Sequence, residues 1–471
     1  MPDVYGILNT ASRSLLTQQK AIDITGQNIA NVNTPGYSRQ RVVMQPNTPI
    51  DFEPGQMGTG VKAAEIERIF DRYIGGQINR ESMNRGQWEA AHSALERIEL
   101  VFDETSGVGL ESALNAFWSA WQDVVNNPGG YPERTVLAAK SETLTRTFNN
   151  MATHLRQIQE DYDRNITGTL DEVNLIAAQI GDLNHKISQV EVTGLNANDY
   201  RDQRDLLLKE LSNLIDLTSF EDEAGQVTVM VGDGKPLVQS PNTWQLSTLT
   251  NAFGLQNVVW QDGAGTAVDI TAAINGGKLK GWLDVRDGHA PDYISRLDTL
   301  AQTIVAEVNS RHQSGYGITT DPVSGMPVSG LDFFVAAGTT AASMAVNPDI
   351  LNDVNRIAAA TTAAGVPGDN RNAVAIASLQ TQTTMSGGTA SFNDFFNALV
   401  GSVGSDVRHA SVNAEHEAAM VAQLENYRES VAGVSLDEEM INLVKYQHAY
   451  EAAARVITTV DEMLDTVLNM V

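Results

Sequence analysis

The chain has 471 residues, 31 Lys and Arg against 58 Asp and Glu for a formal charge of −27, and no cysteine. That length predicts two to four domains. The acidity argues against nucleic acid or an anionic membrane as the principal partner, and the lack of cysteine excludes disulfide and thiolate chemistry. No stretch approaches the roughly twenty apolar residues of a membrane span, and the N-terminus lacks the basic and apolar regions of a cleaved secretory signal.

Leu8, Ala11, Leu15, Gln18, Ile22, Thr25, Ile29 and Val32 follow one another at three- and four-residue intervals. This spacing predicts a coiled-coil strand, although an ordinary amphipathic helix packed on a globular core shares the pattern. The polar members Gln18 and Thr25 suggest a pairing selected for register. Next comes the run Asn28-Ile29-Ala30-Asn31-Val32-Asn33-Thr34-Pro35-Gly36-Tyr37-Ser38-Arg39-Gln40. Pro35 stops helical hydrogen bonding and biases Thr34 towards extended backbone, and Gly36 permits positive φ, so a fixed turn is expected.

Residues 57–71 read as turn and strand. Helical spacing runs over 72–101, over 110–125 up to the stop at Asn126-Asn127-Pro128-Gly129-Gly130, from Pro132 to Val192, and over 199–215. Between Leu217 and Arg286, runs at Val227–Val231, Trp244–Ser247, Val258–Trp260 and Leu279–Leu283 alternate with Gly, Asp and Asn, which predicts a small inserted β domain. Helical spacing returns over 293–308, breaks at Ser314-Gly315-Tyr316-Gly317, and resumes from Asn372 to Val431. The last segment repeats the opening pattern: Leu436, Met440, Leu443, Gln447, Tyr450, Ala454, Ile457, Asp461, Leu464, Leu468 and Val471. Its carboxylates Asp437, Glu438, Glu439, Glu451, Asp461, Glu462 and Asp465 complement Arg13, Lys20, Arg39 and Arg41 near the start. The expected protein is therefore multidomain and mainly α. Residues 1–40 with 432–471 form a terminal coiled coil, and 41–217 with 287–312 and 347–431 a helical bundle. The stretch 218–286 is a β-rich insert and 313–346 a smaller irregular excursion.

The residues carry little sign of catalysis. The eight histidines form no HExxH pair or ligand-spaced cluster. Asp437-Glu438-Glu439 fits the first turn of a helix capped by Ser435 better than a cation site. The glycines from Gly55 to Gly60 lack the lysine and hydroxyl of a phosphate loop, and Trp88, Trp118 and Trp121 sit at helical positions suited to a core.

The turn after Pro35 resembles the N-terminal signature of the bacterial flagellar axial proteins, the rod, hook and hook-associated proteins. Tyr37-Ser38-Arg39-Gln40 and the run from Gly433 to Gln447 are similar to the hook-associated protein 1 family within that group. Further similarity lies in Ala449–Ile457, Asp461–Leu464, Gly58–Val61 with Arg68 and Asp71, Ala113–Trp118, Asn127-Pro128 before Arg134, Asp202–Asp205 and Gly368–Asn370. Tyr200-Arg201 departs from the family's apolar residues. The resemblance implies a non-enzymatic structural component without cofactor or metal, forming the hook–filament junction. It implies export through the flagellar type III channel without a cleaved signal, and an extracellular location on the flagellum. The partners it implies are further copies in a tubular junction, the hook protein, hook-associated protein 3 and an export chaperone on the C-terminal region, with no nucleic acid or membrane insertion. The expected assembly interface is Leu8, Ala11, Leu15, Gln18, Ile22, Ile29, Asn31, Asn33, Pro35, Gly36 and Tyr37, with Leu436, Met440, Leu443, Gln447, Tyr450, Ala454, Ile457, Leu464 and Leu468. The ends, with one-sided apolar stripes, are expected to fold on neighbours during assembly. The alternatives are a hook or distal rod protein, and a secreted adhesin or adaptor using the β insert.

Overall fold

The computed structural model describes residues 2–52, 55–103, 107, 109–263, 265–323 and 325–469. Val471, the last expected seam member, lies outside them. Helix α1 (Pro2–Ala30) leads into strand β1 (Gln40–Pro46), the short hairpin β2 (Ile50–Phe52) and β3 (Gly55–Met57), and β4 (Val61–Arg68). β1 and β4 pair antiparallel, with a register shift between Val43 and Met44. Both strands pack on α1. A Cβ at Gly60, whose φ is +92°, would approach Thr10 Cγ2 to 3.0 Å, and Thr17 Oγ1 donates to Val61 O (3.3 Å). Residues 41–68 thus pack with the terminal helices, whereas the sequence assigned them to the bundle.

Helix α2 (Arg72–Glu99) is capped by Asp71, whose carboxylate accepts from the Tyr73 and Ile74 amides. α3 (Leu110–Asn126), α4 (Tyr131–Glu191) and α5 (Asn198–Leu214) follow. α4 has 61 residues, about 92 Å at 1.5 Å per residue. The insert forms two antiparallel sheets. One has β5 (Thr218–Glu221), β6 (Val227–Val231), β7 (Lys235–Gln239) and β8 (Asn242–Thr243) in sequence order; the other has β9 (Gln245–Thr250), β10 (Gln256–Gln261) and β11 (Ala267–Asp269), with β10 central.

The expected strand at Leu279–Leu283 is instead helix α6 (Gly277–Leu283), which continues through one π-helical turn into α7 (Ala290–Gln313). Contact with α2 is the reason: a Cβ at Gly281 would lie 2.2 Å from Gln87 O, so this small face seats directly on the α2 backbone. The hairpin β12 (Tyr316–Thr320) and β13 (Pro327–Ser329) precedes α8 (Pro348–Asn352) and α9 (Arg371–Ala377). Helix does not run unbroken from Asn372 to Val431. A turn with positive φ at Ser386, Gly387 and Gly388 separates α9 from α10 (Phe392–Ala432), which starts with a Ser391/Asp394 capping box. The chain closes with α11 (Leu436–Leu468).

Two cores share α4. The inner one joins α3, the first part of α4, α7 and α10, with Phe117, Trp118, Trp121, Phe333, Phe334 and Phe392 fully buried. Trp118 stacks on Phe392 at 5.8 Å. Phe333 and Phe334 belong to the expected excursion at 313–346, so part of that segment is core. The outer core joins Ile166–Ile180 of α4 with α5, α6 and both sheets. Arg286, 1% exposed, spans the boundary: its NH1 donates to Asp163 Oδ1 and Gln256 O, both at 2.6 Å.

Candidate functional site: the clasp at the paired termini

The two ends meet within one chain, α1 against α11. α1 buries Ala11, Thr17, Ala21, Thr25 and Asn28, while Leu8, Leu15, Gln18, Ile22 and Ile29 are half-buried. Its tightest face is made of small and polar residues because strands lie on one side of it and α11 on another. On α11, the buried track runs through Glu439, Tyr446, Ala453 and Val460 at seven-residue intervals, with Tyr446 half-buried.

Each of these stands one residue before an expected seam member, namely Met440, Gln447, Ala454 and Asp461. The expected track is therefore rotated about 100° from the intrachain seam. Leu443, Ala454, Ile457 and Leu464 line the seam's edge, and Leu436, Met440, Gln447, Tyr450 and Leu468 are exposed.

A network of polar residues locks the pair. After α1 the chain reverses through Asn31, Asn33, Pro35 and Gly36, with Asn31 Nδ2 donating to Gln27 O (3.0 Å). Gly36 has φ +80°, and a Cβ there would meet Leu206 at 3.4 Å. The reversal carries Tyr37 and Gln40 back to Asn28, which is 1% exposed. Asn28 Oδ1 accepts from Tyr37 OH (2.8 Å) and the Gln40 amide (3.0 Å), while Nδ2 donates to Gln40 O (2.8 Å) and Glu439 Oε2 (2.9 Å). Arg39 bridges Glu438 and Glu439, each at 2.7 Å, and its amide donates to Ala432 O at the end of α10. Burial works against the Arg39 charge, but hydrogen bonds and the charges of the two glutamates outweigh it, so its pKa is raised. Burial, reinforced by Asp199, Asp202 and Glu439, raises the Tyr37 phenol far above its ordinary value and keeps it a donor.

A second layer fastens the clasp to α5. The Ser38 amide donates to Asp202 Oδ2 (2.8 Å), Arg68 NH1 reaches Asp202 (2.9 Å) and Asp205 (2.7 Å), and Gln40 Nε2 donates to Asp199 (2.7 Å). Burial raises the Asp202 pKa despite its bonds to Ser38 and Arg68, which act to lower it. Ser435 caps α11 as expected, accepting from the Glu438 amide. Glu439, however, is a buried partner of Arg39 and Asn28 as well as a first-turn carboxylate. Of the expected charge pairs between the ends, Arg39 makes its own; Arg41 pairs with Glu67 in the β1–β4 hairpin. Arrangements of this kind hold geometry through hydrogen bonds and ion pairs. Among the described residues no group of three or more His, Cys, Asp or Glu is placed to hold a metal ion, and no helix is long and apolar enough to cross a membrane.

The clasp is built from segments with known relatives. Residues 8–37 match the flagella basal body rod protein model, and 429–470 match the C-terminal model of the flagellar basal body rod FlgEFG proteins. Residues 95–334 match the helical domain of the flagellar hook-associated protein FlgK. Flagellar hook-associated protein 1 of Bacillus subtilis (strain 168) is 31% identical, with 100% of this chain and 99% of that protein aligned. The chain belongs to the flagellar hook-associated protein 1 family. The Escherichia coli (strain K12) member is 25% identical over 98% of this chain and 99% of its own length. The solved structure of the flagellar hook junction protein FlgK from Burkholderia pseudomallei shares the fold, with a TM-score of 0.64 and 15% identity over 76% of this chain and all of that one.

The sequence pointed to the turn of this family member, but not to the role of Asn28, Gln40, Glu439 and Asp202. Their sequence signal is membership of the runs that resemble the family, Asn28–Gln40, Asp202–Asp205 and Gly433–Gln447, which says nothing of who bonds whom.

Proposed function

We infer that this hook-associated protein 1 family member is a structural component of the bacterial flagellum at the junction between hook and filament, and we propose that it does no chemistry and assembles through its terminal helices. The observation that carries the assembly reading is the outer face of α11, where Met440 and Ile441 are 58% and 69% exposed and Val444, Met463 and Leu468 are also uncovered. A helix already paired along one stripe and still apolar beside it is suited to a further partner. Contacts between unlike faces of identical subunits propagate as a tube, whose two rims can differ. Hook protein on one rim and hook-associated protein 3 on the other are the neighbours proposed. Export through the flagellar channel without a cleaved signal accounts for an extracellular destination, and a chaperone on α11 would cover the same stripe beforehand.

The match at 95–334 to the helical domain of hook-associated protein 1 disfavours the hook and distal-rod alternatives, and no particular contact of the insert favours an adhesin. The test is deletion of 2–35 or of 436–469 in the native bacterium. Each deletion should abolish filament attachment, and normal filaments would refute assembly through the termini.

A further inference from the structure

On this strongly acidic chain one groove is basic. Arg13 and Lys20 lie two turns apart on α1 with Leu16 between them, Lys62 of β4 flanks them, and with Thr17 and Val61 they line an open groove of about 390 Å³. Leu16 is 60% exposed. Among the described residues the ion pairs of this region belong to Arg39, Arg41 and Arg68; Arg13 hydrogen-bonds Asn9, and none of Arg13, Lys20 and Lys62 has a carboxylate within 4.0 Å.

A complementary surface lies on the last turns of α11. Asp461, Glu462 and Asp465 are exposed there, with the apolar Met463, Val467 and Leu468 beside them. These two surfaces cannot meet within one chain. The bond from Asn28 to Glu439 makes α1 and α11 antiparallel, so Lys20 stands level with about residue 447, and Asp465 is about 27 Å further along the axis.

We propose that this groove receives the C-terminal half of α11 from a second copy, seating Leu16 against the apolar end of that helix and the three cations against its carboxylates. The proposal rests on assembly through the termini and names the contact. Because groove and occupant are different surfaces, the contact is heterologous and repeats from copy to copy. Opposite charges of this kind also steer encounter and set register.

The cysteine-free chain makes the test direct. Full-length protein carrying Lys20→Cys together with Asp465→Cys, expressed in the native bacterium in place of the chromosomal copy, should give a disulfide-linked ladder in isolated flagella, and either single variant should not. An intrachain bridge is ruled out at that separation, since disulfides need Cα atoms within about 7 Å. Lys20→Glu with Lys62→Glu should lower incorporation about tenfold, and adding Asp461→Lys with Asp465→Lys should restore it. Absence of the ladder, or reversal without loss and rescue, overturns the contact. If the terminal deletions still abolish attachment in that case, assembly through the termini stands; if they too assemble normally, both readings fall.

Discussion

Asn28 serves four partners with one buried amide. Asn28→Ala would leave Tyr37 OH, the Gln40 amide, Gln40 O and one Glu439 oxygen short of a partner, at a cost of about 2 kcal/mol. The Gln40 amide, bonded to Asn28 Oδ1, should then exchange with solvent about thirtyfold faster. Unchanged exchange would show that Arg39 and Glu439 hold the clasp without it. Asp216 offers a second test. Burial lifts its pKa from 3.8 to about 6, and its Oδ1 has no hydrogen-bond partner. Between these values the folded chain binds more protons than the unfolded one, so this group's contribution to stability falls as pH rises through about 4 to 6 and stays low above. Asp216→Asn should therefore stabilise at pH 7 by about 2 kcal/mol, with the gain gone at pH 4, as read by urea denaturation at both. His312 acts in the opposite sense. Its Nδ1 bonds Leu331 O and its Nε2 accepts from the Ala358 amide, and burial holds its pKa near 4, so its contribution is full above about 6.5 and lost as pH falls towards 4. The two offset each other in the parent chain, and the Asp216→Asn variant should expose the acid sensitivity of His312.

At the scale of elements, long helices were legible and register was not. The periodic apolar residues and the Asn-Pro-Gly-Gly stop located α3 and α4 within a residue of their ends. On α11, apolar residues flank the seam on both sides while Glu439 and Tyr446 occupy it, so a search for apolar spacing selected the neighbouring stripe. The clasp joins residues up to 411 positions apart, beyond any local pattern. Four hairpin turns of the insert and excursion share one device that composition only hinted at. Asp222, Asn251, Asp262 and Asp321 each start a turn whose glycine, Gly225, Gly254, Gly265 or Gly325, has positive φ and donates its amide back to the starting carbonyl. The insert shares its core with α4. Leu237, Val238, Val258 and Leu246 pack on Ile166, Val173 and Ile180 of α4. Excision of 218–275 should leave α4 beyond about residue 165 unprotected in hydrogen exchange while the inner core stays protected; full protection of that half would show that it stands alone.

Across the whole molecule, apolar burial is uneven. The two cores hold nearly all the large buried side chains, whereas α1 and α11 bury Ala11, Ala21, Ala453 and Val460. Removing 2–35 and 436–469 together should consequently leave the main calorimetric transition within a few degrees of the parent. A large shift would mean that the clasp supports the cores as well as the ends.

The shared helix has a mechanical consequence. α4 passes through both cores, and the Asp163–Arg286 bracket grips it where one gives way to the other. The 28 residues that follow Asp163, up to Glu191, form a lever arm of about 42 Å. Hydrodynamic drag on the outer sheets therefore reaches the inner core as a bending moment about this fulcrum. A rotation of about 1° there displaces the far end of the arm by about 0.7 Å, and the Arg286–Asp163 ion pair resists it together with the packing of α2 against α5 and α6.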